Sequence, residues 1–107
     1  MRRVEHKWGH EEIIVETDNY SYELIHLKKG WTNACHYHNE KQETFIPKVG
    51  TVLLNVKGSE FILTEPFTVN PFTSHSFHAL TDAVVIEVST KHIDTDVVKC
   101  HEAYYCE

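Results

Sequence analysis

Two histidines and a glutamate in the first half of the chain have the types and the spacing of metal ligands. His36 and His38 are separated by one residue, and Glu43 follows five positions later. Because side chains alternate between the two faces of an extended strand, His36 and His38 should point the same way. The polar stretch 39–42 favours a turn, after which Glu43 would begin the neighbouring strand beside the two imidazoles. Two neutral imidazoles and a carboxylate on one face suit a borderline divalent metal.

The residues around this group resemble the first conserved motif of the cupin superfamily. Gly30 is followed by five residues and His36, and Glu43 is followed by six residues and Gly50, which reproduces every spacing of that motif. The resemblance implies an all-β fold, namely a small double-stranded β-helix of the jelly-roll or cupin-barrel type. It also implies a homodimer, since small cupins commonly pair.

The resemblance extends to a second cupin motif, which supplies a third histidine after a proline. The stretch from Pro71 to His75 stands in the corresponding place, with Phe72 where cupins usually carry a glycine. The resemblance spans roughly residues 20–90 and implies one divalent ion, which could be Fe, Mn, Ni, Co or Zn. The ligands that it implies are His36, His38, Glu43 and His75.

Two alternatives remain open for these residues. His75 and His78 are three positions apart, so only one of them can point into a barrel from a regular strand. The resemblance favours His75, which would leave His78 on the surface. Without a metal, the histidine pair would line an exposed strand, and Glu43 would pair with Lys41 or Lys48.

Glu87 and His26 are the candidate catalytic residues. Glu87 interrupts an otherwise apolar strand, so its carboxylate lies either on the outer face or in a pocket. The segment 79–92 around it resembles the last strand of sugar-phosphate isomerase-like cupins, which favours the pocket. His26 shares one side of an earlier strand with Lys28, and both are either solvated or, if that side is inward, a general base and an anion clamp.

Three functions are compatible with this site. The first is a metal-dependent enzyme acting on a small polar metabolite, in particular a sugar or sugar-phosphate isomerase or epimerase that forms a metal-stabilised enediolate. The second is an Fe(II)-dependent cupin dioxygenase, which would use the same ligands with oxygen. The third is a non-catalytic metabolite-binding module, since a small single cupin has few extra loops from which to build a catalytic apparatus.

Length and composition set the outer limits. The chain has 107 residues and a net charge of −6, so we expect one domain, with a core at about residues 13–90, an N-terminal arm and a C-terminal tail. We expect no nucleic-acid partner, because phosphate binding relies on clustered Lys and Arg and the basic residues of this chain are dispersed. We expect no membrane span and no secretory signal. The odd count of 3 cysteines favours reduced thiols and a cytoplasmic protein.

Strand patterns separated by turns recur at intervals of about eight to twelve residues, which is typical of a small β-sandwich or barrel. Pro47 lacks an amide hydrogen, so its strand should lie at an edge or carry a bulge. The predicted strands include Tyr20–Lys28, Thr32–His38, Glu43–Val49, Thr51–Val56, Glu60–Thr64, Phe67–Val69, Ser76–Leu80 and Ala83–Thr90.

Overall fold

The computed structural model describes residues 1–93 and 95–106, and this part of the chain forms β-strands joined by turns and loops, without a helix. The predicted all-β class is therefore confirmed. It also follows that no described segment forms an apolar helix long enough to cross a membrane. The strands are β1 (Arg2–His6), β2 (Gly9–Glu16), β3 (Tyr20–Leu27), β4 (Trp31–Thr32), β5 (Cys35–Tyr37), β6 (Glu43–Val49), β7 (Val52–Val56), β8 (Ser59–Ile62), β9 (Phe67–Val69), β10 (His75–Ala79), β11 (Ala83–Thr90), β12 (Val98–His101) and β13 (Tyr104–Tyr105).

The strands form two antiparallel sheets that pack into a jelly-roll barrel. The first sheet has the order β1-β2-β3-β11-β6-β9. The second contains the path β12-β5-β10-β4-β13, with β7 beside β10 and β8 beside β7. Some neighbours in these sheets are consecutive strands, whereas others, such as β3 and β11, are distant in sequence, so long-range pairing completes the topology.

The core lies between the sheets and is built from alternate residues of each strand. Phe45 from β6 and Phe77 from β10 are both about 1% exposed, and their rings meet edge to face with centroids 4.7 Å apart. Burying an apolar side chain of this size contributes about 1.5–3 kcal/mol. These aromatic side chains therefore hold the two sheets together directly beside the site described below.

The inward face of β3 and β11 is apolar at one end of the barrel and polar at the other. At the apolar end Ile25 is paired with Val85. Two residues further along, Glu23 is paired with Glu87, and both carboxyl groups are buried. This change along a single face explains why neither side of β3 reads as cleanly apolar in the sequence.

Three positions of the cupin-like motifs have a left-handed backbone. Gly30 and Gly50 have φ values of 88° and 77°, and Phe72 has a φ of 63°. A Cβ atom at Gly50 would also lie 2.2 Å from the carbonyl oxygen of Asp82. The two glycines are required by turn geometry. Phe72 adopts the conformation for which a glycine is usual, with its ring 69% exposed.

Some predicted boundaries differ from the observed ones. The N-terminal arm is an ordered hairpin, β1–β2, that pairs with β3. The predicted strand Thr32–His38 is interrupted at residues 33–34, which separates β4 from β5. Pro47 lies in an irregular register between β6 and β11, which confirms the expected bulge.

Candidate metal and acid–base site

Three histidines converge in the polar half of the barrel. His36 lies in β5, His38 follows that strand, and His75 begins β10 directly opposite His36 in the register. One ligand nitrogen from each of the three lies within 4.8 Å of the others. The structure thus brings together residues that are separated by up to 39 positions in the sequence.

Each of these imidazoles is oriented by a hydrogen bond from its Nδ1 to a backbone carbonyl. The acceptors are Ala34 for His36 at 2.8 Å, Asp96 for His38 at 2.5 Å and Thr73 for His75 at 2.9 Å. Because a carbonyl can only accept, Nδ1 carries the hydrogen in all three rings. Burial lowers the pKa of all three histidines, for His36 to about 4. The rings are therefore neutral near pH 7, and each Nε2 presents a lone pair.

Glu43 completes this group from the first sheet. Its Oε1 atom lies 3.1 Å from Nε2 of His75 and 3.3 Å from Nε2 of His38. Among the described residues, these three buried atoms have no hydrogen-bond partner. Burial and the charge of Glu87 raise the pKa of Glu43 to about 8. A shared cation would satisfy all of these atoms at once, so the donor set fits a divalent metal.

Lys41 places a buried ammonium group beside Glu43. Its Nζ lies 2.9 Å from Oε2 of Glu87 and 3.7 Å from Oε2 of Glu43. Burial alone would lower the pKa of Lys41, but the Glu87 and Glu43 carboxylates outweigh it and hold that pKa above the usual value. Glu43 therefore contacts Lys41 through one carboxylate oxygen and the histidines through the other, so the predicted pairing with Lys41 occurs together with the histidine cluster.

The turn that carries Lys41 is held from the C-terminal segment. The Asp96 carboxylate accepts the backbone amides of Asn39, Glu40 and Lys41 at 2.7, 3.1 and 3.1 Å. Burial would raise the pKa of Asp96, but these three hydrogen bonds lower it below its usual value. Together with its carbonyl contact to His38, Asp96 fixes the whole path from His38 to Lys41.

Two acidic residues on the inward face have opposite protonation tendencies. Burial and the charge of Glu87 raise the pKa of Glu23 to about 9. Burial would also raise the pKa of Glu87, but the Lys41 ammonium and hydrogen bonds from neighbouring carboxyl groups lower it. Glu23 is thus a neutral acid and Glu87 a carboxylate near pH 7. Sequence reasoning missed Glu23, although its place on the Ile25 side of β3 would have indicated it once that side was known to be inward.

These residues line a cavity of about 370 Å³. The floor carries the three histidines, Glu43, Glu23, Glu87 and Lys41. One wall comes from the N-terminal hairpin through Trp8 and Glu11, and another from the C-terminal segment through Val97 and Lys99. The cavity has the size and the polar floor suited to a small metabolite.

Two of the predicted candidates lie outside the cavity. His26 is on the outer face of β3, opposite to Glu23, and its Nε2 lies 2.5 Å from Oε1 of Glu12. Its proposed catalytic role in this cavity is therefore wrong, because alternate residues of a strand face opposite sides. His78 also points away and lies 2.7 Å from the hydroxyl of Thr32, so His75 is the histidine of this strand that faces the cavity.

Comparison with known proteins places this geometry in a familiar fold. No family model matches the chain. Over 64 residues it is 28% identical to mannose-1-phosphate guanylyltransferase from Klebsiella pneumoniae, covering 60% of this chain and 14% of that protein. The corresponding enzyme from Escherichia coli is 27% identical over 64 residues. The chain thus spans about one seventh of the length of these relatives.

Solved structures superpose over most of the chain. KdgF from Halomonas sp. has a TM-score of 0.74 at 19% identity, covering 79% of this chain and 80% of that one. An RmlC-like cupin from Shewanella frigidimarina has a TM-score of 0.73 at 20% identity, covering 79% and 78%. At these identities the likeness concerns the fold.

Proposed function

We propose that this chain, which has the cupin fold, binds one divalent metal ion and acts on a small polar metabolite in the cavity above it. The ligands would be His36, His38, Glu43 and His75. The observation that carries the proposal is that the buried Nε2 atoms of His38 and His75 lie within 3.3 Å of the buried Oε1 atom of Glu43 without a hydrogen bond between them. A bound ion would supply a Lewis acid that polarises oxygen atoms of the metabolite.

The reaction that we propose is the isomerisation or epimerisation of a sugar or sugar phosphate. Such reactions need a base to remove a proton from carbon and an acid to return one. Glu87, held as a carboxylate beside Lys41, is suited to the first role, and Glu23, held neutral, to the second. Adjacent carboxyl groups whose pKa values are pushed apart are a recurrent feature of acid–base catalysis.

The partial sequence similarity supports the same substrate class. The aligned relatives are named for mannose 1-phosphate, a sugar phosphate. The alignment covers 14% of their length, so we take from it only the class of substrate and not guanylyl transfer. A sugar phosphate would offer neighbouring oxygen atoms to the ion and a carbon-bound proton to Glu87.

Deuterium exchange under nitrogen tests this proposal. The metal-loaded protein would be incubated in D₂O with a panel of aldoses, ketoses and their phosphates, and NMR would follow deuterium at the carbon next to the carbonyl. We expect incorporation that persists without oxygen and falls by about 100-fold or more in Glu87→Gln. Glu60→Gln, on the exposed strand β8, is the matched control and should keep the wild-type rate.

The other functions give different outcomes in the same assay. A dioxygenase would show no exchange under nitrogen but would consume oxygen with Fe(II). A binding module would show a metal-dependent rise in melting temperature with a sugar that remains unchanged. Absence of exchange across the panel, with metal present, would reject the isomerase.

A homodimer remains a prediction from the resemblance. Tyr104 and Tyr105 are about half exposed on β13, and Tyr105 packs its edge against Trp31. Light scattering after size-exclusion chromatography would determine the oligomeric state, and Tyr104→Ser would weaken a dimer that uses this surface.

A further inference from the structure

A second cluster of potential metal ligands lies on the outer face of the barrel. His10 in β2 is directly opposite His26 in β3, and Glu12 is two residues along from His10 on the same face. One ligand atom from each of these three side chains lies within 4.8 Å of the others. The cluster is separated from the cavity by the sheet, because Glu11 and Ile25, the next residues on these strands, face inward.

The three side chains are close enough for small rotations to bring their ligand atoms around one ion. Oε1 of Glu12 is 2.5 Å from Nε2 of His26 and 4.0 Å from Nε2 of His10. Ligand atoms about 2.1 Å from a tetrahedral ion are roughly 3.4 Å apart. The two observed distances bracket that value, so a small rotation of the partly exposed Glu12 side chain would place its oxygen equally between the two rings.

The two imidazole rings lie face to face on the outer side of the sheet, so one ring must rotate for both lone pairs to point at a shared ion. Their centroids are 4.1 Å apart with an angle of 12° between the planes. Arg3 approaches Nδ1 of His10 at 3.4 Å, but its Nε also contacts the Glu5 carboxylate at 2.5 Å. Its exposed side chain can therefore turn towards Glu5 and leave the cluster open.

We propose that His10, Glu12 and His26 form a second binding site for a zinc-class divalent cation, which fastens β2 to β3 on the outside of the barrel. Two imidazoles and one carboxylate form a donor set that such ions favour, with a fourth position left to water. The inner face of β2 contributes Glu11 to the cavity wall. An ion in the outer site would thus fix the hairpin that forms this wall, whether or not the inner site is catalytic.

Zinc stoichiometry in matched double variants tests this proposal. Zinc would be added to the full chain, excess would be removed by dialysis without chelator, and bound metal would be measured by elemental analysis. We expect two equivalents in the wild type and one in His10→Gln/His26→Gln. His101→Gln, which removes an exposed imidazole from β12, should keep two.

The same measurement separates this site from the inner one. His36→Gln/His75→Gln should lose one equivalent if the inner site binds metal, and retain the one held by His10 and His26. A wild type with one equivalent that is lost only in the inner variant would overturn the outer site and leave the proposed function intact. Two equivalents retained in His10→Gln/His26→Gln would also overturn it.

A second measurement avoids the risk that a variant fails to fold. In wild-type protein labelled with ¹⁵N, two-bond ¹H–¹⁵N correlation spectra report on each imidazole nitrogen as zinc is added. We expect the Nε2 signals of His10 and His26 to shift together over one equivalent. Signals that stay unchanged in excess zinc would reject the site.

Discussion

Nε2 of His75 and Oε1 of Glu43 meet at 3.1 Å, although β10 and β6 belong to different sheets. Both side chains are about 2% exposed or less, so the contact is buried at the inner end of the cavity. Neither atom carries a hydrogen when the imidazole donates through Nδ1 and the carboxyl group is ionised. A cation held between them would join the two sheets as well as prepare the cavity for chemistry.

Removing His75 from the proposed site in the cavity should abolish the stabilisation of the fold by bound metal. The wild type should gain about 2.7 kcal/mol in its free energy of unfolding when free metal is at 100 times its dissociation constant. His75→Gln should lose most of this gain, measured as the difference between denaturant curves with and without metal. His78→Gln, on the outer face of the same strand, should keep it. Equal gains in the wild type and His75→Gln would contradict the ligand assignment.

Loss of the Asp96 carboxylate should loosen the turn next to the histidines. In Asp96→Ala three backbone amides lose their charged acceptor, which should cost about 1–2 kcal/mol and weaken metal binding by about 10-fold or more. Thr95→Ala is the neighbouring control.

This effect should depend on pH in a defined direction. The folded-state pKa of Asp96 is below its ordinary value, so its contribution is complete above about pH 4 and is lost as the pH falls through the lowered pKa. The stability gap between the wild type and Asp96→Ala should therefore close in acid, as measured by denaturant curves. A gap that is constant with pH would contradict the role of the carboxylate.

The buried Glu23 should make the wild type less stable as the pH rises. The unfolded chain ionises this group near pH 4.3, whereas burial and Glu87 raise the folded-state pKa to about 9. The contribution of Glu23 to the free energy of unfolding is thus complete below its unfolded-state pKa. It falls between the unfolded-state and folded-state pKa values, by up to about 1.4 kcal/mol per pH unit. Glu23→Gln should be increasingly more stable than the wild type up to pH 9, while Glu60→Gln should follow the wild type. Parallel curves for Glu23→Gln and the wild type would show that Glu23 is ionised in the fold.

Gly50 and Gly58 provide a matched test of turn geometry. Both have a left-handed backbone, but a Cβ at Gly50 would meet the Asp82 carbonyl at 2.2 Å, whereas at Gly58 it would meet nothing within 4 Å. Gly58→Ala should cost about 1–2 kcal/mol from backbone strain alone. Gly50→Ala should cost about 2–5 kcal/mol because a steric clash is added. Equal losses in chemical denaturation would mean that the backbone near Asp82 can move freely.

Most residues of the inner site could be predicted from the local spacing of the motif. His36 and His38 share a face because side chains alternate along a strand. The turn before Glu43 brings its carboxylate back beside the two imidazoles. Phe72 shows the limit of this approach: residue type suggested a mismatch, but the backbone takes the left-handed conformation regardless.

Features that depend on distant pairing were harder to predict. The inward side of β3 could not be identified locally, since its polar and apolar residues are divided between the two ends of the barrel and not between the two faces. The assignment of His26 to the cavity failed for this reason. The contacts of Asp96 with the turn at residues 39–41 span more than 50 positions, and no pattern near either partner indicates them.

The segment after β11 limits how a ligand can reach the floor of the cavity. Val97 and Lys99 form part of the rim, while Asp96 anchors that same segment to the turn. A chain shortened to end at Lys91 would keep the four inner ligands and every strand of the first sheet. Its cavity would lack the wall that the C-terminal segment forms. Because the same truncation removes Asp96, which orients His38 and holds the same turn, selectivity for the size of the bound molecule and affinity for the ion should decline together.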